Sequence, residues 1–197
     1  MDKFKNKYRI QSARLKGWDY SDYGTYFITI CTKNWQQFFG KVNNGKMQLN
    51  ELGEIAEKCW KEIPNHFPSI ILDNFVVMPN HVHGVLIISE TEALSNSQQV
   101  ETLHATSEST RPKTKSNYLE NTKNKRLSDI SPKAGSISTI IRSYKSAVTK
   151  QARLVNKSFA WQARFHDHLI RNNKSYDTII NYIETNPYHW EDDKFYM

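Results

Sequence analysis

The stretch "VVMPNHVHGVLII", residues 76–88, sets His81 and His83 one residue apart between two runs of β-branched and aliphatic side chains. Such a run reads as a strand, and on a strand residues i and i+2 project from the same face. The two imidazoles therefore point together, while Val82 turns to the opposite, core-facing side. Neutral imidazoles held side by side on a rigid strand can ligate a divalent metal ion. A His-x-His pair also occurs on ordinary polar strand faces, and spacing alone does not separate the two readings. A metal site that performed chemistry would need a third ligand and a reacting group.

A second stretch offers both. In "NKSYDTIINYIETNP", residues 173–187, Tyr176, Ile179, Ile180 and Ile183 form the buried stripe of a helix. At helical spacing Tyr182 falls off the centre of that stripe, and Asn186 lies one turn along the same flank. The Asn186 carbonyl oxygen suits a hard cation, and the Tyr182 hydroxyl would stand beside it. The alternative is a boundary aromatic and a helix-terminal Asn before Pro187. Helix spacing leaves both open.

The elements that must position these groups are legible as a series. "TYFITICT", residues 25–32, reads as a strand. "LNELGEIAEKCWKEIPNHF" reads as a helix opening at Asn50, with Leu52, Ile55, Ala56, Cys59 and Ile63 at helical intervals and Pro64 and Pro68 closing it. "SIILDNFVVMP" and "HVHGVLIIS" follow as two strands joined at Pro79 and Asn80, a hairpin pattern. "SISTIIRSYKSAVTKQARLV" is a second helix, with Ile137, Ile140, Ile141, Tyr144 and Val148 on one face. "RFHDHLIR" is a short strand, and the tyrosine-bearing helix comes last. The order predicts an α+β, ferredoxin-like (split βαβ) fold: a four-stranded antiparallel sheet with helices on one face and an extra C-terminal helix. Residues 90–134 are Ser/Thr/Asn/Lys-rich with Tyr118 the one aromatic. They carry too little apolar surface to offset the entropy of ordering, which predicts a largely disordered polar insertion within a single domain of residues 1–89 and 135–197.

Charge singles out one element. The 197-residue chain carries a formal net charge of +7 at 38% hydrophobic content. Residues 135–171 alone hold seven Lys/Arg against Asp167, the one acidic residue there. Arg142, Lys145, Thr149 and Arg153 run down one helix face, which reads either as an electrostatic footprint for nucleic acid or as a solvated face. Cys31 and Cys59 are far apart and not in metal spacing, which argues against a disulfide scaffold or zinc ribbon. With no apolar leader and no run approaching ~18 apolar residues, the expected setting is soluble and cytoplasmic.

Taken together, "VVMPNHVHGVLII", "GTYFITICT", "STIIRSYKSAVTKQ" and "WQARFHDHLIRNNKSYDTIINYIETNP" resemble the single-tyrosine HUH transposases, specifically the REP-associated tyrosine transposase group. The similarity spans residues 8–90 and 135–190. His81 and His83 match the metal-binding HUH pair, Tyr182 the nucleophile, and Asn186, four residues on, the third ligand. The resemblance implies Mg²⁺ or Mn²⁺ as cofactor and hairpin-bearing single-stranded DNA as partner. It implies cleavage and rejoining through a 5′-phosphotyrosine intermediate. Arg142, Lys145, Arg153, Arg164 and Arg14 would meet the DNA backbone, with Trp161 and Phe165 as stacking surfaces or as core. His168 and His189 are proton-acceptor candidates for Tyr182. The family includes dimers that exchange tyrosine helices as well as monomers, so a homodimer is one of two arrangements. Two departures stand out: the insertion is longer than the family pattern, and His166 stands where an aromatic is common. The competing classes are a catalytically silent ferredoxin-like nucleic-acid-binding protein and a related HUH nickase.

Overall fold

In a computed structural model, residues 18–89 and 133–196 are described. The chain runs β1 (Gly24–Cys31), β2 (Gly40–Asn43), β3 (Lys46–Leu49), α1 (Glu51–Lys61), α2 (Ile63–His66), β4 (Ile70–Met78), β5 (His81–Ile88), α3 (Ile137–Val155), β6 (His166–Ile170) and α4 (Asn173–Thr185). Strands β4, β5, β1 and β6 lie side by side in that order, every neighbouring pair antiparallel. This is the ferredoxin-like order expected from the sequence. Residues 90–132, nearly all of the expected polar insertion, lie outside the described residues.

The helices begin where side chains can satisfy free backbone donors. Asn50 caps α1 by accepting from Gly53 N at 3.0 Å, and its amide donates to Phe38 O. Asn172 caps α4 by accepting from Ser175 N at 2.8 Å. Ser136 caps α3. One sheet face packs on α1 and α3: Ile28, Ile30, Val82 and Leu86 meet Trp60, Ile140, Tyr144 and Val148 in the main core. The other face carries Val85 and Ile170 against Ile183 of α4, with Phe27, Val76, Tyr176 and Ile179 around them. The last helix thus covers the face left free by the other two.

A small hairpin, β2–β3, was not anticipated from the sequence. Its turn is Asn44-Gly45, both at positive φ, a pairing that matches the twist of a tight hairpin. A bulge on β4, where the register shifts between Leu72 and Phe75, places Asp73 and Asn74 beside α4. The Tyr176 hydroxyl donates to Asp73 Oδ2 and the Asn74 amide to Glu184 Oε1, each at 2.6 Å. Both ends of α4 are therefore tied to the edge strand.

Gly84 follows the histidines directly. A Cβ there would lie 2.4 Å from Trp60 Cζ2 and 2.9 Å from Phe75 Cβ, and the fully buried Trp60 has nowhere to retreat. Gly84→Ala is expected to cost about 1–3 kcal/mol through overpacking, read as a lower urea midpoint with an unchanged slope.

Candidate active site

His81 and His83 leave β5 on the α4 side and are 0% and 1% exposed. Their rings sit 4.4 Å apart, centroid to centroid. Asn80, fully buried at the β4–β5 turn, orients the first of them. Its amide nitrogen donates to Trp35 O at 3.1 Å and Phe195 O at 2.8 Å, so its oxygen must face His81 Nδ1 at 2.8 Å. His81 Nδ1 is then the protonated nitrogen, and the Nε2 lone pair is free. On the neighbouring strand Thr29 Oγ1 holds His83 Nδ1 at 2.9 Å.

Helix α4 brings the phenol to this pair. Tyr182 Oη lies 3.2 Å from His83 Nε2 and donates to Asp193 Oδ2 at 3.0 Å. The Tyr182 ring meets His83 and Phe27 edge-on. Asn186, 2% exposed, donates to the same Asp193 oxygen at 2.7 Å. The shared partner places Tyr182 and Asn186 on one flank of the helix, as their spacing predicts.

Asp193 was not singled out from sequence. It stands in the irregular segment after the last helix, where no periodicity marks a side chain's direction. Its other oxygen accepts from Phe195 N at 2.8 Å. The Phe195 ring in turn packs on His81 at 4.6 Å and His83 at 5.7 Å. Ligand atoms of His81, His83 and Asp193 all lie within 4.8 Å of one another.

Two buried acceptors in this cluster, His81 Nε2 and Asn186 Oδ1, have no hydrogen-bond partner. Unpaired buried acceptors are costly unless something electropositive meets them. Two imidazoles, an amide oxygen and a carboxylate form a donor set that fits a divalent cation of the Mg²⁺, Mn²⁺ type.

Burial holds both imidazoles below the usual histidine range; for His83 the neighbouring His81 adds to the effect. Burial, then the Asp193 carboxylate, pushes the Tyr182 phenol above its ordinary value. A histidine whose folded pKa is depressed binds its proton more readily when unfolded. Its contribution is full above the unfolded value of about 6.5 and is lost as pH falls below it. The metal-free protein is therefore expected to melt progressively lower below about pH 6.5. A His81→Gln/His83→Gln variant should show a shallower slope in the same titration.

The basic residues divide. Arg142 and Arg164 are exposed. Lys145 Nζ donates to Gln162 O at 2.5 Å, and Arg153 Nε to Phe159 O at 3.1 Å. Both therefore anchor the segment after α3, as well as charging its surface. Helical spacing shows which face a cation occupies but not which carbonyl it meets. Arg14 lies outside the described residues. Trp161 and Phe165 pack partly buried against the main core. His168 and His189 are exposed, and the Tyr182 proton is directed at Asp193 instead.

The sheet order and the extra helix carrying a tyrosine against two strand histidines define an α+β chain with the fold of a REP-associated tyrosine transposase. A solved structure of such a transposase bound to a REP hairpin matches over 95% of this chain and 76% of that one, with a TM-score of 0.52 and 18% identity. No protein-family model matches the sequence. An uncharacterized protein of Haemophilus influenzae is 39% identical over 191 residues, covering 95% of this chain and 93% of that protein, and the chain belongs to one family with it. Among the described residues, no helix is long and apolar enough to cross a membrane.

Proposed function

We propose that the protein is a single-tyrosine DNA strand transferase that cuts and rejoins hairpin-bearing single-stranded DNA. The observation that carries this reading is the approach of Tyr182 Oη to within 3.2 Å of His83 Nε2, beside the unpaired His81 Nε2. A nucleophile next to a ready donor set is what phosphoryl transfer requires, and a pure binding protein has no use for it. The likeness to a transposase that was bound to a REP hairpin supports the same substrate class.

In the mechanism, His81, His83 and Asn186 would hold a divalent cation, with Asp193 within reach as a further donor. When bound, that cation offsets charge developing on the scissile phosphate and lowers the cost of ionising a nearby phenol. Tyr182 Oη attacks phosphorus in line while its proton passes to Asp193 Oδ2. The bond from phosphorus to the 3′ oxygen breaks, that oxygen takes a proton from solvent and leaves as a 3′-hydroxyl, and the 5′ phosphate stays on Tyr182. Attack by another 3′-hydroxyl reverses the step, so rejoining needs no nucleotide cofactor. The exposed cations Arg142 and Arg164, with Lys145, Arg153 and Arg14, hold the strand by its phosphates without reading sequence.

The test incubates the protein with labelled hairpin-bearing single strands in Mn²⁺, Mg²⁺ or EDTA. A denaturation-resistant protein–DNA band in metal, absent in EDTA, is the expected result. Binding without any covalent band on strands taken from the flanks of the gene would favour the silent nucleic-acid-binding reading.

A further inference from the structure

A groove lies apart from the histidines, between α3 and the segment that follows it. It is an open cleft of ≈ 590 Å³, lined by Lys145, Thr149, Lys150, Arg153, Trp161 and Ala163, among others, with no acidic side chain on its wall. That volume falls in the range of small-ligand clefts, roughly 300–1,000 Å³. Its floor is fixed in place. Trp161 Nε1 donates to Lys145 O at 3.2 Å, and the indole is braced by Phe39, Tyr144 and Phe159 at centroid distances of 5.2–6.0 Å. Lys145 and Arg153 clamp the segment from the helix side.

The floor is also joined to the catalytic strands. Gln162 N donates to Cys31 O at 2.9 Å, Lys33 N donates to Ala160 O at 2.8 Å, and Thr32 bridges to Trp161. Cys31 in turn is the cross-strand partner of His81. One strand, β1, therefore lies between the groove floor and the strand that carries the histidine pair.

Resting on the strand-transfer reading above, we infer that this groove seats one unpaired nucleotide of the DNA strand that flanks the scissile phosphate. The base lies against Trp161 and the wall at Ala163, and its phosphate beside Lys150 and Arg153. Charge complementarity selects the occupant, because three cations and no anion surround an aromatic floor. A rigid indole is a stacking platform that loses no rotamer freedom on binding. A duplex offers no free base to fill the cleft, so the site takes a splayed single-stranded nucleotide.

An abasic scan tests this. Fluorescence anisotropy is measured for the full chain with hairpins carrying unpaired flanks on either side, one flanking base at a time replaced by an abasic sugar. Wild type is expected to lose about tenfold in affinity at one flanking position, the scale of a single base–aromatic stack. Ala163→Trp, at an exposed position on the groove wall, fills the cleft and is expected to remove that sensitivity while binding the flankless hairpin as wild type does. Lys150→Gln, which leaves the fold intact, is expected to reduce the salt slope by about one. If no position is sensitive, or if Ala163→Trp keeps the full sensitivity, the inference is wrong. The covalent assay is scored separately on the same strands. Base sensitivity abolished by Ala163→Trp, with no adduct on any strand, would leave the groove standing and remove the chemistry. Adduct formation without base sensitivity would do the reverse.

Discussion

Tyr182→Phe is expected to abolish covalent capture of DNA, a loss of at least about 10³-fold in adduct formation, while hairpin binding stays within about twofold of wild type. The phenylalanine ring keeps the edge-on contacts to His83 and Phe27, so the helix stays seated and only the nucleophilic oxygen is lost. Denaturing gels after incubation in Mn²⁺ give the readout, and anisotropy on the same strands gives the control. An adduct that survives would place the nucleophile elsewhere. Mixing this variant with His83→Ala adds a second result. Tyr182 approaches His83 of its own chain, and both ends of α4 are fastened to β4 of its own sheet. The mixture is expected to stay silent, and recovered activity would mean that two copies exchange helices.

Asn80→Ala is the second large effect. The amide is fully buried and makes three side-chain hydrogen bonds, to the carbonyls of Trp35 and Phe195 and to His81 Nδ1. Truncation strands two carbonyls and one ring nitrogen at once. Unsatisfied buried groups cost about 1–3 kcal/mol each, so a loss of about 3 kcal/mol or more is expected in urea unfolding. His81 also loses the partner that fixes its tautomer, and metal affinity should fall about 10–100-fold, measured by titrating Mn²⁺ and following its EPR signal. Asn80→Asp keeps the acceptor for His81 but sets a carboxylate against two carbonyls. It should recover metal affinity better than stability. Unchanged Mn²⁺ binding in a destabilised Asn80→Ala protein would mean that Asn80 supports the fold alone.

The parts of this site that obey a period were legible in advance. Alternation along "HVHGVLII" put both imidazoles on one face and Val82 in the core, and both placements hold. The 3.6-residue repeat put Tyr182 and Asn186 on one flank, and Asp193 receives a hydrogen bond from each. Asp193 itself was hidden because an irregular segment has no repeat from which to read direction. Asn80 was visible as a turn residue, but nothing in a turn signal says that its amide spans Trp35, His81 and Phe195. The β2–β3 hairpin is a different case: Asn44-Gly45 is a strong turn pair, flanked by strands of four residues each, too short for alternation to register. Lys145 and Arg153 show the limit of charge patterning, since each spends a donor on a carbonyl that sequence spacing cannot reveal.

The phenol and the imidazole it approaches are separated by 99 positions along the chain. A translation product that ends anywhere between them carries the histidine pair without Tyr182. On the strand-transfer reading, such a fragment forms no covalent adduct, because the donor pair and the nucleophile lie at opposite ends of that interval.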